Sequence, residues 1–314
     1  MASISRRGFV TGSLAAAVVL KYGAPAFAQK TAKAPPIIDV KGSDPKAMVA
    51  EVIEALGGLA FVSGKSVFIK ANAGFPNPAV WATTTNPEVV AAVAQQCKDA
   101  GARSVTLIEY PQGDPSKCFD RCGMRAALGP LGVKLKLLDP EKDFVGPTPD
   151  EIKEGKVPKG SLEGKGLMFA SLCKSADVLI NIPVAKSHTD TGVSFGLKNF
   201  MGLIKDRQAF HSANIDQCIA DLAAYVQLVS TPAFTILDAT RVLKTNGPQG
   251  PGEVGEEGRL IAGVMTATVD AYALEKLDIK TKGKATHIAA ALALKGAPVG
   301  RKALASDIKL GSKK

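Results

Sequence analysis

Residues 175–202 read SADVLINIPVAKSHTDTGVSFGLKNFMG. Within them Val178-Leu-Ile-Asn-Ile182 is a short, almost wholly apolar run stopped by Pro183. A run of that length without alternation marks a strand covered on both faces. The same form recurs at Ser66–Lys70 (SVFIK), Ser104–Glu109, Lys134–Leu138, Phe234–Leu237 and Leu260–Met265. Helical stretches lie between them. Asp44-Pro45 opens one that runs to Leu56, with the Asp as N-cap and the Pro in the first turn. Asn86-Pro87-Glu88 opens a second, with Val89, Val90, Val93, Ala94 and Cys97 on its apolar face before Gly101. Residues 116–128, Leu167–Ser175, Ile215–Val229 and Val269–Leu277 follow. Buried strands alternating with helices predict an α/β fold, a largely parallel sheet with helices on both faces, in a chain long enough for two lobes.

Outward from that unit, residues 29–44 are an Ala/Pro/Lys-rich lead-in, expected to be extended, and the α/β domain is expected over 45–300. Residues 301–314 form a basic tail with Lys309, Lys313 and Lys314, expected to fray. Residues 144–165, dense in Gly, Pro and Lys, read as a long surface loop or a hairpin excursion, and residues 241–259 as a second long loop. Residues 1–28 carry Arg6-Arg7 before Gly8-Phe9, an apolar run from Leu14 to Leu20, and Ala26-Phe27-Ala28. This is the tripartite pattern of a secretory signal, and the arginine pair points to the twin-arginine translocase as a transient partner. Cleavage after Ala28 would leave a periplasmic or extracytoplasmic chain starting at Gln29. The apolar run is far shorter than the ~20 residues of a membrane span, so an integral membrane protein is not expected.

The net charge of +10 loses Arg6, Arg7 and Lys21 with the signal and remains positive. No basic stripe interleaved with aromatics occurs, so nucleic acid is not an expected partner. An anionic small molecule is. The five cysteines cannot all be paired with one another. Cys118 and Cys122 are the only close pair, and their spacing suits neither a disulfide nor, without further ligands, a metal.

The chemistry is concentrated after the strand at 178–182. Lys186, His188 and Lys198 fall within a short glycine-rich loop that also holds Gly192, Gly196, Asn199 and Gly202. Two lysines and an imidazole at a strand end would bind an anion and depress one another's pKa. His188 would then handle a proton or ligate a metal, and the glycines would let the backbone approach a ligand. In an open α/β sheet, ligands lie beyond the carboxyl ends of the strands, where Asn72, Pro183 and Asp238 fall.

Three ordered blocks resemble the uncharacterised family known as domain of unknown function 362. They are ADVLINIPVAKSH…G…GLKNFMG, VFIKAN…TTTNPEVV, and ILDATRV…GPQGPG…AGVMTATVDA. Members of that family often carry a ferredoxin-like cluster domain, but this chain has no such cysteine run, so no iron–sulfur role is carried over. Met265-Thr266 stands where members often have Asp-Pro, which leaves Asp270 as the nearer carboxylate. The spacing of His188 and Lys198, with Gly192 and Gly196 between, is similar to a stretch of lactate racemase-type enzymes whose lysine tethers a nickel-pincer nucleotide. That likeness implies His188 as ligand or acid/base and Lys198 as tether, with Thr84 and Thr85 of the Thr83–Pro87 block facing nucleotide phosphates at a helix start.

His211 is expected either to cap the helix from Ile215 or to join the same pocket, and Asp238 to be a metal ligand or acid, or else a turn residue. Glu109 has the same ambiguity, Lys70 and Asn72 could meet an anion, and His287 is expected to be structural or exposed. No Gly-x-Ser-x-Gly elbow, Walker loop or His-Glu-x-x-His helix occurs. The residues therefore predict an exported protein that binds an anionic small molecule, metal or cofactor. It would be an isomerase- or oxidoreductase-type enzyme, or else a non-catalytic accessory protein of a redox system.

Overall fold

The computed structural model describes residues 37–158, 166–294 and 308–311. The predicted signal and most of the lead-in and tail lie outside these residues. The strands in chain order are β1 (Ile37–Lys41), β2 (Ser66–Ala71), β3 (Ser104–Glu109), β4 (Lys134–Leu137), β5 (Phe144–Val145), β6 (Phe169–Ala170), β7 (Val178–Ile182), β8 (Val184–His188), β9 (Gly192–Ser194), β10 (Pro232–Leu243), β11 (Val254–Gly263) and β12 (Ile308–Leu310). All but β5 and β6 join one sheet, whose main path runs β12-β1-β11-β10-β7-β2-β3-β4.

From β10 to β4 every neighbour is parallel. Only β11 runs against that path, paired antiparallel with both β10 and β1. The predicted fold class therefore holds. The chain leaves β2 for β3 and β4 on one side, then returns to place β7 on the other. This makes the gap between β2 and β7 a topological switch point, where such sheets leave a crevice at their carboxyl edge.

Helices cover both faces because the buried strands alternate their side chains between two cores. Leu179, Leu237 and Ile261 pack with the helices Ile215–Val229, Thr266–Lys276 and Thr286–Ala293. Val178, Ile180, Ile236 and Leu260 pack with Pro45–Ala55 and Pro87–Asp99. The two lobes that the length allowed are thus two cores on opposite faces of one sheet. Both of the latter helices start as expected, with Asp44 accepting from the Lys46 N–H and Asn86 from the Glu88 N–H.

Several boundaries differ from the sequence reading. The end of the lead-in is β1, which is held by ladder hydrogen bonds to β11. Ile308–Leu310 of the tail forms an edge strand parallel to β1. The loop expected over 241–259 is about half strand, since β10 and β11 extend into it and leave residues 244–253 as their connection. Residues 116–128 form two short helices, Pro115–Arg121 and Met124–Leu128, broken at Gly123 with φ of 81°. Leu167–Ser175 is not one helix. Phe169–Ala170 pairs antiparallel with β5, and only Ser171–Lys174 is helical.

One buried polar cluster ties β1 to this frame. Asp39 accepts from the Tyr272 hydroxyl at 2.7 Å and pairs with Arg259 of β11. Replacing Tyr272 with Phe should lower stability by about 1 kcal/mol, because the carboxylate loses a donor that water cannot replace. Urea denaturation checks this, and an unchanged midpoint would contradict it.

Candidate functional site

A narrow cleft with a cavity volume of about 50 Å³ opens at the carboxyl edge by the switch point. Its wall takes Lys70 and Asn72 from the end of β2, Glu109 and Tyr110 from the end of β3, and Lys186 and His188 from β8, which carries on from β7 after Pro183. The short helix Gly196–Asn199 adds Lys198 and Asn199, and Arg207 closes the far side. Lys186 and His188 therefore sit on a strand, not on the loop expected of them, and Lys198 on a helix. The register of β8 brings the first two to the cavity that the helix brings Lys198 to.

Charge in this wall is unbalanced. Lys70 pairs with Glu109 at 3.0 Å and also donates to the Ala71 carbonyl and to Asn199 Oδ1. Glu109 accepts from the backbone N–H groups of Ala73 and Tyr110 as well, so that pair is neutral and fully engaged. Lys186, Lys198 and Arg207 have no carboxylate within ion-pair distance among the described residues. Lys186 donates to the Thr83 carbonyl at 2.5 Å and to Asn72 Oδ1 at 3.4 Å, and lies 4.9 Å over the Phe75 ring. Arg207 donates to the Pro111 carbonyl at 3.1 Å and stacks 4.4 Å from the Tyr110 ring centre. Lys198 has no hydrogen-bond partner among the described residues. Burial, then the neighbouring Lys198, pulls Lys186 down to about 7. Burial, then Arg207, pulls Lys198 down to about 8.

His188 is fixed in one tautomer. Its Nδ1 accepts from the backbone N–H groups of Asp190 at 3.1 Å and Thr191 at 3.4 Å. Burial, reinforced by Lys198 and Lys186, drives its pKa to about 2, so the ring is neutral. With Nδ1 accepting, the proton sits on Nε2, the nitrogen left for the cleft. A base or metal ligand at Nε2 would need a proton on Nδ1, which the loop N–H groups oppose. In this geometry His188 offers the cleft an Nε2–H donor. No group of three or more His, Cys, Asp or Glu able to hold a metal occurs among the described residues.

Asp270 holds the lysine helix in place. Its carboxylate accepts from the N–H groups of Gly196 at 2.9 Å and Leu197 at 2.8 Å. Burial pushes its pKa up to about 7, against the pull of those two donors. The glycines expected to approach a ligand instead approach protein. A Cβ on Gly196 would lie 2.6 Å from Thr266 Cγ2, and one on Gly202 2.5 Å from both Lys70 Cε and Glu109 Oε1. Asn199 is a hub that donates to the Lys70 carbonyl and to Asn181 Oδ1.

The remaining candidates divide. Asn72 lines the cleft. Asp238 does not: it accepts from the Asn86 N–H at 2.7 Å and from Thr240, the turn role that had been the alternative. Thr85 accepts from the Asn72 N–H and donates to the Ile182 carbonyl, and the Thr84 hydroxyl is buried without a partner. The start of the helix Pro87–Asp99 is thus occupied by Asp238 and the Asn86 side chain and cannot face nucleotide phosphates. The cleft is also narrow, so the residues do not fit a pincer nucleotide in the way the likeness implied. His211 lies 3.2 Å from Asp190 rather than capping the next helix, whose cap is Asn214. His287 is fully buried. Cys118 and Cys122 are free, and burial raises them to about 12 and about 11, well away from thiolate. Arg207 and Tyr110 were not singled out in the sequence. Tyr110 had a signal, since it follows a buried strand's carboxyl end, whereas nothing near Arg207 marks it.

These features define an α/β protein with an electropositive, largely buried cleft at a switch point of a parallel sheet. Residues 67–275 match the family described as a domain of unknown function, DUF362, and the chain belongs to it. A thylakoid-associated protein of Synechocystis is 28% identical over 241 residues, covering 73% of this chain and 67% of that one. Among solved structures, a Thermotoga maritima protein superposes with a TM-score of 0.44 at 15% identity over 77% of this chain. The apoprotein of lactate racemase from Thermoanaerobacterium thermosaccharolyticum does so with 0.38 at 17% over 64%. The chain spans 59% and 50% of those two proteins. No helix among the described residues is long and apolar enough to cross a membrane.

Replacing Asp270 with Ala leaves two buried N–H groups unmet and should cost about 2 kcal/mol. It should also loosen the helix that carries Lys198. Denaturation together with hydrogen exchange at residues 196–199 checks both effects, and unaltered exchange there would contradict the positioning role.

Proposed function

We propose that the cleft binds a small organic anion, with Lys186 and Arg207 facing its charge and the His188 Nε2–H donating to one of its oxygens. The observation that carries this reading is a wall with three buried cations, none of which has a carboxylate at ion-pair distance among the described residues. Burying such charge is costly unless something compensates it, and a bound anion does so. A buried ammonium and guanidinium in a site of reduced dielectric bind carboxylate far more strongly than they would at the surface. A neutral, oriented imidazole N–H adds a donor aimed at developing negative charge, which supports an enzyme of isomerase type over a passive carrier. We also propose that residues 1–28 direct export by the twin-arginine route, so that the folded domain works outside the cytoplasm.

Two outcomes test these statements. The probe 2-hydroxybutyrate should raise the melting temperature most below about pH 7, where both lysines are protonated. Because an anion raises their pKa, the stabilisation is complete below the free values of about 7 and about 8 and is lost as pH climbs past the bound ones. Beside them, Arg207 is a guanidinium and His188 stays neutral across this range, while His211, held below its usual value by burial, faces Asp190 next to Lys198. Replacing Arg207 with Met should remove at least tenfold in affinity. A shift that is flat with pH, or that persists in Arg207→Met, would contradict the anion assignment. For export, changing Arg6-Arg7 to a Lys pair should leave full-length precursor in the cytoplasm, whereas normal chains begin at Gln29. N-terminal mass analysis of cell fractions reads both.

A further inference from the structure

Of the three cations facing the cleft, Lys198 differs from the others in having no hydrogen-bond anchor among the described residues, with the Asp190 carboxylate acting on it only at longer range. Lys186 is anchored by the Thr83 carbonyl and Asn72, and Arg207 by the Pro111 carbonyl and the Tyr110 ring. Lys198 is buried, lines the same cleft, and has neither a hydrogen-bond acceptor nor an ion-pair partner among the described residues. Its backbone is held by the grip of Asp270 on Gly196 and Leu197. An aliphatic amine placed in this way, with fixed cations beside it, is disposed to be a nucleophile. Lowering by burial and by Arg207 to about 8 supports this, because it raises the share of free amine near neutral pH.

From this geometry we infer that Lys198 forms an imine with the carbonyl carbon of a small 2-oxo acid. The inference rests on the anion-binding reading above and goes beyond it. The carboxylate of the 2-oxo acid lies against Arg207 and Lys186, and its carbonyl oxygen accepts from the His188 Nε2–H. The free amine of Lys198 adds to the carbonyl carbon and a C–N bond forms. The carbonyl oxygen then leaves as water, taking the two protons of the amine, so that a C=N bond replaces C=O with no oxidant or reductant involved. Protonation of the imine nitrogen from solvent gives an iminium that acidifies the adjacent carbon, which is the usual purpose of such an adduct.

Borohydride trapping tests this on the mature, wild-type protein. Pyruvate, 2-oxobutyrate and 2-oxoglutarate are each incubated with it and reduced, and the product is examined by intact mass and peptide mapping. The expected result is a single adduct at Lys198 with at least one of the three, heavier by the keto acid less one oxygen atom. It should be absent from Lys198→Arg, which keeps the charge but cannot form an imine, and whose fold is checked by circular dichroism. Adducts spread over surface lysines, an adduct at Lys186, or none with any of the three would overturn the inference. Thermal stabilisation by 2-hydroxybutyrate separates the two levels. If it persists without trapping, the anion site stands and the imine falls. If both are missing, both fall.

Discussion

Lys70 and Glu109 close against each other at the carboxyl ends of β2 and β3, and the site is organised around that one neutral pair. A lysine and a carboxylate fully removed from water are tolerated only when their hydrogen bonds are met. Here the Ala71 carbonyl, Asn199 and two backbone N–H groups meet them. The pair in turn dictates what packs on it. Gly202 must lack a side chain, and Asn199 must bridge Lys70 to Asn181 on β7. Glu109 is engaged in this way, and among the described residues Lys186, Lys198 and Arg207 have no carboxylate at ion-pair distance, Asp190 acting on Lys198 only from further off.

The chain places those cations by backbone devices. Pro183 ends β7, and β8 continues at the edge of β10, which carries Lys186 and His188 to the switch point. The tight return to β9 directs the Asp190 and Thr191 N–H groups at His188 Nδ1, which sets the tautomer. Asp270, from the far helix Thr266–Lys276, then fixes the first turn of the lysine helix. Scaffold and site are therefore inseparable here: the hydrogen bonds that satisfy buried backbone also aim the reactive side chains.

Much of this was legible in the sequence because strand burial and helix caps are local signals. The apolar runs of β2, β3 and β7 and the Asp-Pro and Asn-Pro helix starts gave the parallel sheet, and strand ends directed attention to Lys70, Asn72 and Lys186. What escaped depended on contacts between residues distant in sequence. β1 is a strand because β11 and β12 lie beside it, and the two ends of the 241–259 segment became strand through mutual pairing that Gly and Pro composition concealed. Asp238 looks like a site residue from its position but is consumed by the Asn86 N–H. Arg207 looks like surface charge but folds back over Tyr110. The role of His188 turned on which ring nitrogen the loop engages, and spacing cannot reveal that.

The most direct test of the central claim is a crystal structure of the mature protein grown with 2-hydroxybutyrate near neutral pH. The account predicts its carboxylate within hydrogen-bond distance of Arg207 or Lys186, with an oxygen accepting from His188 Nε2 and Lys198 adjacent. A cleft left empty at saturating ligand, or one whose cations turn out to be neutralised by a protein carboxylate, would contradict it.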